Sequence, residues 1–224
     1  MNVLVLGLYR NLLQTCQTFT TVGYGHSSPN GFLTSSLAAA EALTGLLSFA
    51  IATGLFYGRF SKPKAYLQFS HNALIAPYKN ITGFMVRTTP YKNNNLLDAE
   101  AAMTLGMIVN ENNTMVNKFF QLKLEMYKIN ALTLSWTLVH PINEESPLYG
   151  MTREELQNAQ GEFIITLKAY DDLFSTTVAS RTSYTFDEVI YGAKFKLMYA
   201  ENADNSKTIL HLDRLNSYER VDLK

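Results

Sequence analysis

Two patterns of hydrophobic and polar positions meet near residue 60 of the chain. Before it, apolar residues run almost unbroken: between Met1 and Phe60 the only charges are Arg10, Glu41 and Arg59. The stretch from Phe32 to Tyr57 holds one charged residue, Glu41. A helix rises about 1.5 Å per residue, so about 20 residues span a hydrocarbon core, and this stretch is long enough. Residues 8 to 22 read as a short helix of about three turns running into an irregular segment. Gly23, Gly25 and Pro29-Asn30-Gly31 then break the pattern and turn the chain into the long helix. Pro63 closes that helix after Phe60, because proline disfavours helical geometry in the residue before it.

From about Ala65 the period changes to short apolar runs separated by turn signals. Strands are predicted at 73–75, 82–88, 99–110, 117–126, 132–140, 162–171, 176–184, 194–199 and 208–213, all rich in β-branched and aromatic residues. One short helix interrupts them over 153–159, with Thr152 as its cap and Glu155 three positions later, the reciprocal capping box. Strands at this spacing predict a β-sandwich, though not its strand order. The expected organisation is a partial pore domain over 1–61 (helix about 8–20, loop 21–25, membrane helix about 32–60) and a β-sandwich domain over 62–224.

Composition sharpens this picture. The 19 basic and 19 acidic residues cancel, which argues against a nucleic-acid binder working through a broad basic field. The single cysteine, Cys16, forms no internal disulfide. Arg59, Lys62 and Lys64 follow the membrane helix directly and suit a cytoplasmic flank, which places the C-terminal part in the cytoplasm. No basic leader or small-residue cleavage site marks the helix as a secretory signal.

The most specific signal is Thr20-Thr21-Val22-Gly23-Tyr24-Gly25. A potassium filter replaces the water around the ion with rings of backbone carbonyls from four subunits. Neighbouring carbonyls point inward only if some residues adopt left-handed dihedrals, which glycine does without a Cβ penalty, hence Gly23 and Gly25. Thr21, Val22, Gly23 and Tyr24 are the expected K+ ligands. Val22 and Tyr24 are expected to turn their side chains off the axis and pack against the preceding helix. The negative C-terminal end of that helix would favour a cation beyond it.

The chain resembles the inward-rectifier potassium channel family, particularly its prokaryotic branch. The stretches TFTTVGYGHSSP, LFYGRFSKPKAYLQFS, LTLSWTLVHPINEESPLYGMT and ASRTSYTFDEVIYGAKF carry the likeness. The resemblance implies an immunoglobulin-like cytoplasmic sandwich, a homotetramer and a passive K+ pathway continuing through four cytoplasmic domains. It implies a location in the cell (inner) membrane, no cofactor beyond the permeant K+, and no catalysis. Thr21 to Gly25 correspond to the filter. Phe49 falls on the cavity position where strongly rectifying members have an acid, so strong polyamine rectification is not expected. Phe49 and Tyr57, about two helical turns apart, resemble the apolar constriction and the helix crossing that gate by dewetting. Gly45 and Gly54 read as sites of close helix packing or of hinging, packing being preferred.

Glu41 resembles a filter-supporting position, through a hydrogen bond to the pore loop. Arg59, Lys62 and Lys64 are the expected contacts to anionic lipid or phosphoinositide, each worth on the order of 1 kcal/mol near an anionic surface. Ser175, Thr176 and Thr177 resemble the loop that narrows the cytoplasmic pore, with Arg181 beneath it. The run from His140 to Pro147 offers a His and acids but no nucleophile motif, and the resemblance makes it a loop at subunit contacts. The four histidines, His26, His71, His140 and His211, have no metal-ligand spacing.

Members of the family carry an interfacial helix and an outer membrane helix before the pore helix. The seven residues Met1 to Gly7 are too few to cross a bilayer, which takes about 17 or more. The sequence therefore reads as lacking those helices, and weak assembly and flux are expected of it. The alternative function is a membrane-tethered, non-conducting regulatory or binding module.

Overall fold

A computed structural model describes residues 3–25, 28–92, 94–202 and 207–223. Its internal contacts separate two compact units, Met1–Lys62 and Pro63–Lys224.

The first unit is a helical hairpin of α1 (Val3–Phe19) and α2 (Phe32–Phe60). Helix α1 starts five residues before the expected Leu8. The run Val3–Gly7 is apolar, and Gly7 costs a helix roughly 1 kcal/mol without breaking it. Helix α2 is long and apolar enough to cross a membrane, and only 6% of its most apolar window is buried. A core helix of a soluble domain would bury that face, whereas this one leaves it exposed. Four of its hydroxyls are satisfied internally: Ser36, Thr44, Ser48 and Thr53 each donate to the carbonyl four residues back, at 2.7–2.8 Å. Such bonds satisfy these four hydroxyl hydrogens within the helix, with no need of water.

The second unit is mostly β-sheet. One five-stranded sheet contains β1 (Leu67–Phe69), β2 (Ala73–Tyr78), β3 (Ile81–Pro90), β7 (Trp136–Ile142) and β10 (Val189–Tyr191). The other contains β4 (Leu96–Glu111), β5 (Thr114–Leu122), β6 (Lys128–Leu132), β8 (Glu162–Asp171) and β9 (Thr176–Thr185). All ladders in both sheets are antiparallel except β2 with β10. Two small ladders follow, β11 (Ala193–Phe195) with β14 (Tyr218–Arg220) and β12 (Tyr199–Glu201) with β13 (Thr208–Leu210). Helix α3 (Arg153–Asn158) has the expected capping box of Thr152 and Glu155.

The sheets pack face to face. Phe84 of β3 stacks on Phe163 of β8 with ring centroids 4.0 Å apart, among Val86, Leu138, Met103, Ile165 and Leu167. The Tyr184 hydroxyl of β9 donates to the Ser70 carbonyl at 2.6 Å, tying the second sheet to the segment between β1 and β2. Asn112 and Asn113, both left-handed, make the two-residue turn from β4 to β5.

Several expected strands differ. The run 132–140 is not one strand: β6 ends at Leu132 in one sheet and β7 begins at Trp136 in the other. An apolar run that changes sheets looks continuous in sequence, because both ends bury side chains in the same core. The run 194–199 likewise splits between β11 and β12, and 117–126 stops at Leu122.

Candidate ion pathway

The candidate filter is set by how α1 ends. Thr21 adopts a left-handed φ of 60° and its N–H donates to Thr18 O, while Val22 N–H reaches back to Gln17 O at 2.9 Å. This is the Schellman arrangement, which satisfies carbonyls that a helix end otherwise leaves orphaned. Gly23 N–H shares Gln17 O at 3.3 Å. Left-handed φ then recurs at Gly23 (52°) and Gly25 (77°). The segment is thus an irregular strand hung from the last turn of α1, its conformation alternating at 21, 23 and 25.

Side chains around it depart from expectation in two respects. Val22 and Tyr24 are 51% and 70% exposed, so the protomer's own helix does not cover them. Glu41 is half-buried on α2, one turn before Gly45, and makes no hydrogen bond or ion pair with the described residues. The expected bond to the pore loop is therefore not present among them. His26 lies outside the described residues.

Gly45 is the close contact between the helices. It is the buried residue of α2, and a Cβ built on it would stand 1.9 Å from Phe19 O. Gly54 has open space around it. Half-buried Gln14, Gln17 and Thr18 of α1 and Ala38, Glu41 and Ala42 of α2 complete the contact. Small residues one turn apart are what lets two backbones approach. A cleft of about 190 Å³ opens beside it, lined by Phe19, Thr20, Thr21, Gly45, Leu46 and Phe49. Phe49 therefore shares a cleft with the first candidate ligand, Thr21. Tyr57 lies further along α2, and both aromatic rings are more than 70% exposed. Arg59 sits in the last turn of α2, where a cation suits the helix dipole, and Arg59, Lys62 and Lys64 are all exposed.

In the sandwich, Ser175, Thr176 and Thr177 lie where the β8–β9 hairpin turns, with Ser175 left-handed. Sequence reasoning missed what holds this turn. Asp171, fully buried, accepts from the Leu173 and Phe174 amides at 2.9 and 3.2 Å and from Asn94 Nδ2 at 3.1 Å. The signal was an acid two and three residues before the amides of a turn, the Asx pattern. Arg181 is exposed on β9, opposite Thr166.

The temptation offered by His140 resolves into structure. Its Nδ1–H donates to Lys123 O at 2.8 Å, and its Nε2 accepts from the Ser146 hydroxyl at 2.8 Å, which itself accepts from Leu148 N–H. Burial pushes the imidazole pKa down, opposed by the Lys123 bond. Ser146 is buried and already used as a cap for its loop, so the pair pins the 143–150 loop to β7. Arg87 is another buried group: its guanidinium lies 4.3 Å from the Phe195 ring centre, with Nη1 3.5 Å from Arg214 O and Nε without a partner. Burial pulls its pKa down to about 10.

These features define a class of chain with a membrane-length helix, a glycine-bearing loop before it and a β-sandwich after it. The chain belongs to the inward rectifier potassium channel family: the model for that family's C-terminal domain matches residues 67–224. It is 31% identical over 194 residues to the inward rectifier potassium channel Kirbac3.1 of Paramagnetospirillum magnetotacticum, covering 86% of this chain and 66% of that one. It is 25% identical to inward rectifier potassium channel irk-1 of Caenorhabditis elegans, covering 94% of this chain and 41% of the relative. It is 27% identical to the G protein-activated inward rectifier potassium channel 4 of Mus musculus, over 84% of this chain and 48% of the relative. The chain thus spans between two fifths and two thirds of the length of these relatives.

Proposed function

We propose that the chain is a subunit of a tetrameric inward-rectifier-type channel that passes K+ passively, with Thr21, Val22, Gly23, Tyr24 and Gly25 as its filter. The observation that carries the reading is the loop's backbone. Left-handed residues alternate at 21, 23 and 25 and the loop is anchored to the end of α1, so carbonyls are available to an ion rather than to a sheet. Family membership and the names of the relatives favour conduction over a tethered binding module.

In this reading the exposed faces of α2 meet lipid and three further copies. Positive flanking residues keep the sandwich on the cytoplasmic side of the cell membrane. Phe49, beside Thr21, and Tyr57 are the apolar constrictions at which the pathway dewets and closes. The β8–β9 turn at Ser175, Thr176 and Thr177 narrows the pathway through the sandwich domains. Arg59, Lys62 and Lys64 take anionic lipid head groups, whose charge they complement. Glu41 supports the filter from the face of α2 that carries Gly45.

Flux from liposomes tests the reading. The reconstituted chain is expected to pass K+ well over Na+, and Gly23→Ala to abolish that preference. Selective flux unchanged by Gly23→Ala would remove the filter assignment, and no K+ flux at all would remove conduction. Chemical cross-linking of the same sample is expected to stop at four subunits.

A further inference from the structure

We infer that Gly45 is a positioning residue for the filter, and that its lack of a side chain sets where the end of α1, and the loop hung from it, come to rest. The inference rests on the conduction reading. A Cβ at 45 would lie 1.9 Å from the Phe19 carbonyl oxygen, 2.8 Å from its carbon and 3.0 Å from its Cα. All three are backbone atoms, so no rotamer change makes room. Ordinary contact begins near 3.4 Å, so one helix must yield by about 1.5 Å, the scale on which packed interiors resist rather than deform.

What moves with Phe19 is the filter. Phe19 is the last residue of α1, Thr21 follows in the left-handed region, and the amides of Val22 and Gly23 both bond Gln17 O one half-turn earlier. Apart from Thr21 N–H to Thr18 O, which ties it to the same last turn, the loop has no other backbone hydrogen bond among the described residues to hold it against such a shift. A displacement of the last turn therefore passes directly to the carbonyls of residues 21 to 23. Ion discrimination depends on where those oxygens stand and on how firmly they are held. Gly54 and Gly58 lie on the same helix with nothing within 4 Å of a built Cβ. They supply controls in which a glycine is lost from α2 without a collision.

The experiment uses the full chain in liposomes, with Gly45→Ala compared against Gly54→Ala and the parent. Gly45→Ala is expected to lower K+-over-Na+ preference at least tenfold while ion flux persists, and Gly54→Ala to keep the parent's preference. A Gly45→Ala preference equal to the parent's overturns the inference and leaves conduction standing. Absence of selective flux from the parent counts against conduction instead, and amide exchange then decides the positioning. Exchange at 21–23, the hydrogen-bonded amides of the loop, is expected in detergent to quicken at least tenfold in Gly45→Ala and not in Gly54→Ala, with sandwich amides unchanged as the folding control. Unchanged exchange at 21–23 overturns the inference. Because the obstruction is backbone, Phe19→Ala added to Gly45→Ala is expected to leave the defect in place, and recovery in that double variant overturns it too.

Discussion

The His140 imidazole stands with its Nε2 2.8 Å from the Ser146 hydroxyl, while its Nδ1 lies 2.8 Å from the Lys123 carbonyl. A carbonyl only accepts, so Nδ1 carries the proton and Nε2 is left to accept from Ser146. Protonating Nε2 turns that acceptor into a donor and leaves the Ser146 hydrogen without its partner. Burial favours the neutral ring, so the folded pKa lies below the ordinary 6.5. The unfolded chain then takes up its proton first. The stability from this site is complete above about pH 6.5 and is lost as pH falls from there toward the folded pKa. Urea unfolding of the sandwich signal between pH 8 and 5.5 is expected to show that loss in the parent and a flatter profile in His140→Gln. Equal slopes in both would dismiss the account.

Asp171 is expected to be the residue on which the β8–β9 turn depends. Its carboxylate accepts three bonds in a fully buried site, and hydrogen bonds to a charged group contribute about 1.5–3 kcal/mol each. Asp171→Ala leaves the Leu173 and Phe174 amides and Asn94 Nδ2 without that acceptor. A loss of about 3 kcal/mol or more in denaturant unfolding is expected, with faster amide exchange at 173 and 174 before other hairpin positions. Flux should change in the same variant if the turn narrows the pathway.

Phe49 and Tyr57 are expected to differ in what they control. An apolar ring in a narrow passage favours expulsion of water, and replacing it with a smaller polar side chain both widens the passage and favours wetting. Phe49→Asn or Tyr57→Asn should raise resting K+ flux severalfold in liposomes. Only Phe49, which shares a cleft with Thr21, should also alter block by organic cations applied from the cytoplasmic side. Resting flux unchanged in both variants would move the gate elsewhere.

Legibility from the sequence followed the physics of each part. The bounds of α2 were readable because one apolar run, a preceding Pro-Asn-Gly and a following proline all act locally. Strand β8 and the capping box of α3 were readable for the same reason. The break between Leu132 and Trp136 was not, since hydrophobic alternation is the same whichever sheet receives the side chain. Strands β1, β10 and β14, of three residues each, are too short to show a period. Around the pore loop, the glycines at 23 and 25 announced themselves, but Gln17 as anchor and Phe19 O as the neighbour of Gly45 are backbone roles that no side chain encodes. Asp171 and Ser146 acquire their partners only when loops close over them.

Arg87 supplies a test in which removing a charge helps. It is 4% exposed, has no ion pair with a carboxylate among the described residues, and is held by the Phe195 ring and one long bond to Arg214 O. Its pKa drops to about 10, so burial opposes the charged form, yet at neutral pH the group stays charged and the cost is carried in full. The sign follows from that depression: stability lost to this group is constant below pH 10 and returns only above it, beyond any working range. A methionine fills much of the same volume, keeps contact with Phe195 and carries no charge to desolvate. Arg87→Met is therefore expected to stabilise the sandwich by about 1–2 kcal/mol, by analogy with buried charges replaced by apolar residues. Arg87→Ala is expected to cost stability instead, through the hole it leaves beneath Phe195. Thermal unfolding of the three proteins decides: a methionine variant less stable than the parent would mean that the stack on Phe195 outweighs the desolvation it entails.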